Sequence, residues 1–534
     1  MNLTIKSLNR YDKIFLLLIA AYLITWILLV RNYQFLGIND SISYMSIAKL
    51  YLNGDYANAI NGYWSPLYSW LMVPYLKIVG YSPLNALWAA RIVNLFTGIL
   101  ALIGIRSLSH KMGLNKKMTT LTILTLIPLI LYLSLTQIMP DLLMATLLVL
   151  YFNIIFSEGY SQKLSNGLFC GVIVAFAFLT KAYVLLFFLL HFPLFNFIQW
   201  KTNISPEKRK NITKNFLIGL AVFFIISGVW IFTISEKYDK LTYSTSGDYN
   251  FKVVGPESIG QPAQNPGFIQ PPYLKGSSAW EDPSANASYS QLKAWSPFKS
   301  TAFLIYELKK IPDNIVVLSN MLLSFSYFTL LIILFYFILS ISSVKKLLKR
   351  TEILYPLLTV LVFPLGYLLI VLDVRYLWIL FVLLVIMGFY LLQLLFKNGF
   401  LNQYGKKILA ITLMISFVIM PISGLYGSYN AYENFYKMAN QLKEHGIEGN
   451  IASSGNTTHY GEDIIISFFM DTSYFGYAKE DTTYTQLVSE LKKYNIDYYI
   501  FWENSGKNEQ FLTQNFPEVT NGTIKGIKVF KIST

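Results

Sequence analysis

Cysteine is nearly missing from this sequence: Cys170 is the only one in 534 residues. Within one chain that excludes a disulfide framework and a cysteine-based zinc site. Histidine is sparse as well, and His110, His191, His445 and His459 are too scattered to form a ligand cluster, so nothing in the sequence calls for a metal or another cofactor. Charge is scarce at 13% of residues, with 29 acids against 43 bases. The C-terminal part has no glycine-rich phosphate loop, which leaves a nucleotide without its usual cradle. No repeat of about 20 to 50 residues recurs, and an inverted-repeat transporter loses its sequence mark.

What the chain has in abundance is apolar surface. Hydrophobic residues make up 54% and aromatic ones 16%, with a mean hydropathy of +0.46, the balance of a multi-span membrane protein. A bilayer core of about 30 Å needs roughly 17 to 25 apolar residues per helix. Eleven segments qualify, some at the short end: 14 to 30, 84 to 105, 118 to 137, 141 to 157, 167 to 181, 183 to 200, 215 to 235, 314 to 341, 353 to 372, 376 to 396 and 407 to 427. Residues 167 to 200 read either as two short helices around Thr180 and Lys181 or as one long kinked one. The first segment follows Lys6, Arg10 and Lys13, lacks a small-residue cleavage site and runs into Arg31; it reads as a retained signal anchor with a cytoplasmic N-terminus.

Charge placement supports this map. With the N-terminus inside, the inner segments hold 20 basic residues, among them Lys6, Arg106, Lys208, Arg209, Lys345, Lys346, Lys349 and Lys406, against four acids, Asp12, Glu158, Glu207 and Glu352. The rest of the chain keeps 23 basic and 25 acidic residues. Lys and Arg resist translocation and orient the spans, so the net charge of +14 reports topology and contact with anionic lipid, and nucleic-acid binding is not needed to explain it.

Three regions then lie outside: 31 to 83, 236 to 313, and the tail from 428. In the first loop SISYMSIAKLYL and PLYSWLMVPYLKIVG have the spacing of helices lying at the membrane interface. The loop at 236 to 313 is rich in Pro, Gly and Ser, with aromatics in GFIQPPYL, AWEDP and AWSPF; a loop this long is expected to fold over the membrane surface as part of a binding site. In the tail YENFYKMANQLKEHG and YTQLVSELKKYN read as helices, and GNIASS, IDYYIFW and TIKGIKVFKI as strands. The expected architecture is an all-α polytopic membrane domain of about 11 transmembrane helices over residues 1 to 427, followed by a small extracytoplasmic α/β domain over 428 to 534. Sequons stand at Asn286, Asn456 and Asn521.

Asp40 lies just outside the first span, in GINDSISYMSIAKLYLNGDY, close to the aromatic YWSPLYSWLM. A sugar or lipid hydroxyl is a poor nucleophile at neutral pH and needs a positioned base as it attacks. A carboxylate desolvated at a membrane surface suits that task. Asn39, Asp40 and Ser41 equally stand where a helix N-cap belongs. Asp141, on the same side of the map, is either a second site acid or, after Pro140, a helix-start residue favoured by the dipole. Arg91, Lys181 and Arg375 share that outer face. Basic residues at membrane depth usually face a polar cavity or partner, and a lipid phosphate would supply one; snorkelling to the interface is the alternative for each, and Asp373 can pair Arg375 internally. Glu281 and Asp282 in WEDP are read as substrate contacts or as solvated acids of a Pro-rich turn.

These blocks resemble the GT-C superfamily of polytopic glycosyltransferases, especially the branch containing the protein O-mannosyltransferases of family 39 and the aminoarabinose transferases acting on lipid A. The resemblance covers roughly residues 10 to 200, with a weaker echo at LDVRYLWILFVLL. Asp40 with SYMSIAKLYLNGDY and WSPLYSWL is similar to the family's first-loop block, AARIVNLFTGILALIGI to its second span, PDLLMATLLVLYF to its fourth, and FLTKAYVLL to its TK-containing turn. The resemblance implies a GT-C type fold with Asp40 as catalytic base, Asp141 as second site acid, and Arg91, Lys181 and Arg375 as donor-phosphate-binding residues. Tyr44 and Trp64, inside the matching block, are taken as substrate-binding. Asp-Ser stands where mannosyltransferases have Asp-Glu, and Trp-Ser-Pro where they have His-Pro-Pro, so neither mannose nor a protein acceptor carries over. The long loop and the tail lie outside the shared pattern and are expected to set the acceptor.

The expected function is transfer of a sugar from a polyprenyl-phosphate donor to an acceptor hydroxyl on the extracytoplasmic side, with inversion. Its partners are that donor, membrane lipid and a glycan, lipid or protein acceptor. A flippase for a lipid-linked glycan is the rival from another class, and would need charge deep inside the spans and pseudo-symmetric halves. A glycan ligase or polymerase would differ only in its acceptor.

Overall fold

The structure, a computed structural model, describes residues 9–37, 39–273, 276, 278–285, 287–341, 350–399, 401–503 and 508–532. Lys6, Lys345, Lys346 and Lys349 of the inner charge set and the sequon residue Asn286 lie outside the described residues. The chain divides into two units. The first comprises Met1–Arg31, Ile92–Phe232 and Leu304–Tyr429; the second comprises Asn32–Arg91, Thr233–Phe303 and Asn430–Thr534.

Asparagines open several helices of the first unit. Asn9 accepts from the Asp12 N–H at 3.1 Å while the Asp12 carboxylate accepts from the Asn9 N–H at 3.3 Å, a reciprocal cap on Arg10–Leu29. Asn115 accepts from Met118 at 3.0 Å ahead of Lys116–Leu135, and Asn402 from Gly405 at 2.8 Å ahead of Gln403–Gly427. Each bond satisfies an N–H that a helix start leaves open.

Among the described residues eight helices are long and apolar enough to cross a membrane: Arg10–Tyr33, Pro83–Lys111, Lys116–Leu135, Tyr183–Thr202, Pro206–Lys237, Thr351–Leu368, Val374–Lys397 and Gln403–Gly427. They coincide with eight of the expected spans. Two further expected spans are shorter apolar helices, Asp141–Ile155 and Ser165–Thr180, so residues 167 to 200 hold two helices with Lys181 at the break. The segment at 314 to 341 is not one straight span: Thr301–Phe325 and Thr329–Ile341 meet at a bend of 107°. Hydroxyls take over the backbone there. Thr329 donates to the Leu322 carbonyl at 2.7 Å and Ser326 donates to Ser416 at 2.8 Å, replacing the regular ladder.

The helix Trp378–Lys397 is buried without interruption from Trp378 to Tyr390, as an element apolar on every side must be. Gly167 and Gly171, four apart on Ser165–Thr180, let that helix meet Pro206–Lys237 closely: a Cβ on Gly167 would stand 2.3 Å from the Asn215 carbonyl oxygen, and one on Gly171 2.5 Å from that of Gly219. Small residues at this spacing are the usual means of close helix approach in membranes.

The second unit contains both expected first-loop helices, Asn39–Leu52 and Leu67–Val79. Asn39–Leu52 departs from an amphipathic interfacial helix, because every residue from Ser41 to Ala48 is buried. The tail forms a four-stranded sheet of β1 (Asn450–Ser453), β2 (Ser473–Tyr477), β3 (Tyr498–Trp502) and β4 (Ile527–Lys531) in the order β2-β1-β3-β4. The pairs β1–β2 and β1–β3 are parallel and β3–β4 is antiparallel. Strand β2 and the helix Thr457–Met470 were absent from the sequence reading. The long loop joins this sheet: Gly267 and Ile269 donate to the Tyr477 and Phe475 carbonyls, each at 2.8 Å, and Phe268 enters the core with Ala452, Leu487 and Phe530. The edge strand β2 is thereby covered.

Candidate functional site

The predicted residues fall into two clusters, one in each unit. In the first unit Asp141 opens the helix Asp141–Ile155, and its side chain, 3% exposed, is ion-paired with Lys181. The break between Thr180 and Tyr183 frees Lys181 from helical geometry (φ −154°, ψ 120°) and lets it reach that partner. Its ammonium also lies 4.0 Å from the centre of the Tyr376 ring. Tyr376 stacks on Tyr367 at 4.9 Å, and Tyr367 on Tyr183 at 3.7 Å. Arg375, on the turn Val374–Leu377, has its Nε 2.9 Å from Asp373. The structure thus brings together Asp141, Lys181 and Arg375, for the Arg375 guanidinium also lies 5.4 Å from the centre of the Tyr376 ring. A cation against a ring face gains electrostatic attraction beyond packing.

In the second unit Asp40 stands in the first turn of Asn39–Leu52, where a negative charge suits the helix dipole. The indole N–H of Trp280, from the long loop, donates to its carboxylate at 2.9 Å. Trp280 is fixed in turn. Its carbonyl accepts from the Trp64 indole at 3.1 Å and from the Ser43 hydroxyl at 3.3 Å, and its ring meets those of Trp64 and Tyr63 edge-on, each at 6.1 Å. Tyr44 meets Trp64 at 5.3 Å and Tyr68 at 5.7 Å. Tyr44 and Trp64, expected to bind substrate, are buried members of this aromatic assembly.

Glu281 and Asp282 depart from the solvated acids of a Pro-rich turn, since they are 1% and 2% exposed. Glu281 accepts from the Ser278 N–H at 2.5 Å, the Ser278 hydroxyl at 2.9 Å and the Ser46 hydroxyl at 3.2 Å. Asp282 accepts from the Tyr238 hydroxyl at 2.5 Å and the Ser284 hydroxyl at 3.0 Å. Asn61 donates to the Glu281 carbonyl at 2.7 Å. Burial pushes the Glu281 carboxyl up to about 7, against the pull of its Ser278 and Ser46 bonds, and raises Asp282 as well. The WEDP turn is a strap that seats Trp280 against Asp40.

Arg91 departs from a phosphate-binding role. It is fully buried, and its guanidinium donates to the carbonyls of Leu36 at 2.7 Å, Leu87 at 3.2 Å, Gln34 at 3.3 Å, and Tyr33. The Tyr33, Gln34 and Leu36 carbonyls belong to the segment that precedes Asp40, so Arg91 braces that segment. Trp280 is the residue that sequence reasoning missed, although AWEDP, part of the aromatic punctuation of the loop, contains it. Among the described residues no group of three or more His, Cys, Asp or Glu is arranged to hold a metal ion.

The chain is similar in fold to solved membrane transferases. It matches ArnT from Cupriavidus metallidurans bound to undecaprenyl phosphate with a TM-score of 0.56 and 11% identity, over 97% of this chain and 98% of that one. The apo ArnT structure matches with a TM-score of 0.57 at 10% identity, over 98% and 99%. The oligosaccharyltransferase of Archaeoglobus fulgidus in complex with Zn and sulfate matches with a TM-score of 0.57 at 11% identity, over 92% of this chain and 68% of that one. No family model and no curated protein matches the sequence. The chain has the GT-C fold, and at such identity the likeness is one of fold alone.

Proposed function

We propose, from the premise of a GT-C fold, that this chain is a multi-pass membrane glycosyltransferase. It moves a sugar from a polyprenyl-phosphate donor to an acceptor hydroxyl on the extracytoplasmic side, with its N-terminus cytoplasmic and its α/β tail extracytoplasmic. The observation that carries this reading is the Asp40 carboxylate held by the neutral Trp280 N–H in a rigid aromatic setting. Such a donor fixes the carboxylate's direction, as a general base requires.

Asp40 takes the proton of the acceptor hydroxyl as its oxygen attacks the anomeric carbon. The bond from that carbon to the phosphate oxygen breaks, and the polyprenyl phosphate leaves with the bonding electrons. Attack from the face opposite the leaving group inverts the centre. Lys181 and Arg375 stabilise the negative charge that builds on the phosphate. Asp141 and Asp373 hold those two cations in place, and Arg91 braces the segment before Asp40. The fold of ArnT, a structure bound to undecaprenyl phosphate, supports a donor of that lipid class.

The test is a transfer assay on purified protein with a panel of polyprenyl-phosphate sugars. Asp40→Asn is expected to lose about 100-fold to 10,000-fold in turnover, the range of a positioned base. Full turnover by the variant defeats the base assignment.

A further inference from the structure

The long loop of the second unit carries a cavity that the transfer chemistry above does not use. It measures about 310 Å³ and is lined by Lys252, Lys293, Lys299, Glu257, Trp295 and Phe303 among others. That volume lies at the small end of ligand sites, which run from about 300 to 1,000 Å³, and holds about one or two sugar residues. Three ammonium groups against one carboxylate make its lining positive.

The three lysines are held differently. Lys252 is anchored, 3.1 Å from Asp248 and donating to the Tyr289 hydroxyl at 2.7 Å. Lys293 and Glu257 form an open pair at 3.0 Å, with side chains 71% and 54% exposed; water screens such a pair, and an arriving anion displaces its carboxylate at little cost. Lys299 is exposed. Trp295 is the rigid element: its indole N–H donates to the Phe251 carbonyl at 2.7 Å, its ring stacks on Phe251 at 4.4 Å, and Phe303 meets it edge-on at 6.2 Å. With its polar atom committed to the backbone, the half-buried ring offers carbon surface, on which the C–H faces of a sugar pack. Glu257 supplies an acceptor for sugar hydroxyls.

From this combination we propose that the cavity binds an acidic saccharide, one bearing carboxylate or phosphate groups. As an acceptor subsite it rests on the transferase reading; as a binding site it stands apart from it. A lipid would need an apolar channel for its chains, and half of this lining is charged.

The experiment is calorimetric titration of the full chain in detergent with trigalacturonate, using maltotriose as the neutral comparator. Trigalacturonate is expected to bind at least tenfold more tightly than maltotriose. Lys293→Glu combined with Lys299→Glu, two exposed positions whose change leaves the fold intact, is expected to weaken it tenfold or more. Asp40→Asn is expected to bind as the unaltered chain does, and absence of transfer by the unaltered chain with binding retained sinks the transferase reading and leaves this site standing. Equal affinity for the two sugars, no effect of the double charge reversal, or saturable binding to phosphatidylglycerol vesicles with none to trigalacturonate each overturns the proposal.

Discussion

Asp40 and Asp141 are both carboxylates in the first turn of a helix, one in each unit, and their surroundings differ in kind. Asp141 is nearly enclosed and faces the Lys181 ammonium. Asp40 is half-buried and receives the neutral N–H of Trp280. The first acid faces an ammonium group, while the second is oriented by an indole N–H. The same residue type at the same helix position thus faces a cation in one case and a neutral donor in the other, and the proposed roles of cation holder and base follow that difference.

The largest effect expected on the paired side comes from removing one member. Lys181→Met leaves the Asp141 carboxylate enclosed without its partner, and should lower unfolding stability by about 3 kcal/mol. Asp141→Asn combined with Lys181→Met should recover much of that loss. Additive losses in a double-mutant cycle of denaturant unfolding would mean the two acids are more alike than the structure makes them.

The strap behind Trp280 gives a pH signature of similar size. Glu281 is pushed up to about 7 by burial, from an ordinary value of 4.5. Between those values the folded chain keeps a proton that the unfolded chain has released, so stability falls as pH rises through the window and levels off above it. At about 1.4 kcal/mol per pH unit the fall is on the order of 3 kcal/mol. Asp463, buried with Ser453, Tyr474 and Trp502 and also pushed up to about 7, adds in the same direction. Glu281→Gln should remove its share of the slope in unfolding midpoints recorded from pH 4 to 8, and an unchanged slope would place the titration elsewhere.

Trp280→Phe keeps a ring and deletes the N–H, and a lost bond to a charged group predicts about a tenfold drop in turnover with donor KM unchanged. A shift in donor KM alone would instead make Trp280 a donor contact. The smallest effect belongs to Tyr376→Leu, which removes the ring beside Lys181; a contribution of about 1 kcal/mol predicts a roughly fivefold rise in donor KM.

The membrane helices were largely legible because a bilayer imposes length and apolarity directly on the sequence. The 107° bend was not, since SFSYFT reads as a mild polar interruption and only the bonds from Thr329 to Leu322 and from Ser326 to Ser416 make it a corner. SISYMSIA looked amphipathic because serine counts as polar, yet Ser43 and Ser46 are satisfied by Trp280 and Glu281, more than 230 positions away. Glu281 and Asp282 looked solvated for the same reason, as their partners Ser46 and Tyr238 come from distant segments. Arg91 was misread because backbone carbonyls, its acceptors, leave no trace in a sequence. Strand β2 escaped notice because IIISFFMDTSYFGY mixes a helix and a strand in one apolar stretch.

The most direct measurement takes donor affinity and turnover together on one preparation of Asp40→Asn, with Asp141→Asn beside it and an undecaprenyl-phosphate sugar as donor. The account predicts that Asp40→Asn binds the donor normally and hardly turns it over, while Asp141→Asn is impaired chiefly in donor binding. Normal turnover by Asp40→Asn, or loss of donor binding from it with Asp141→Asn unaffected, would contradict the account.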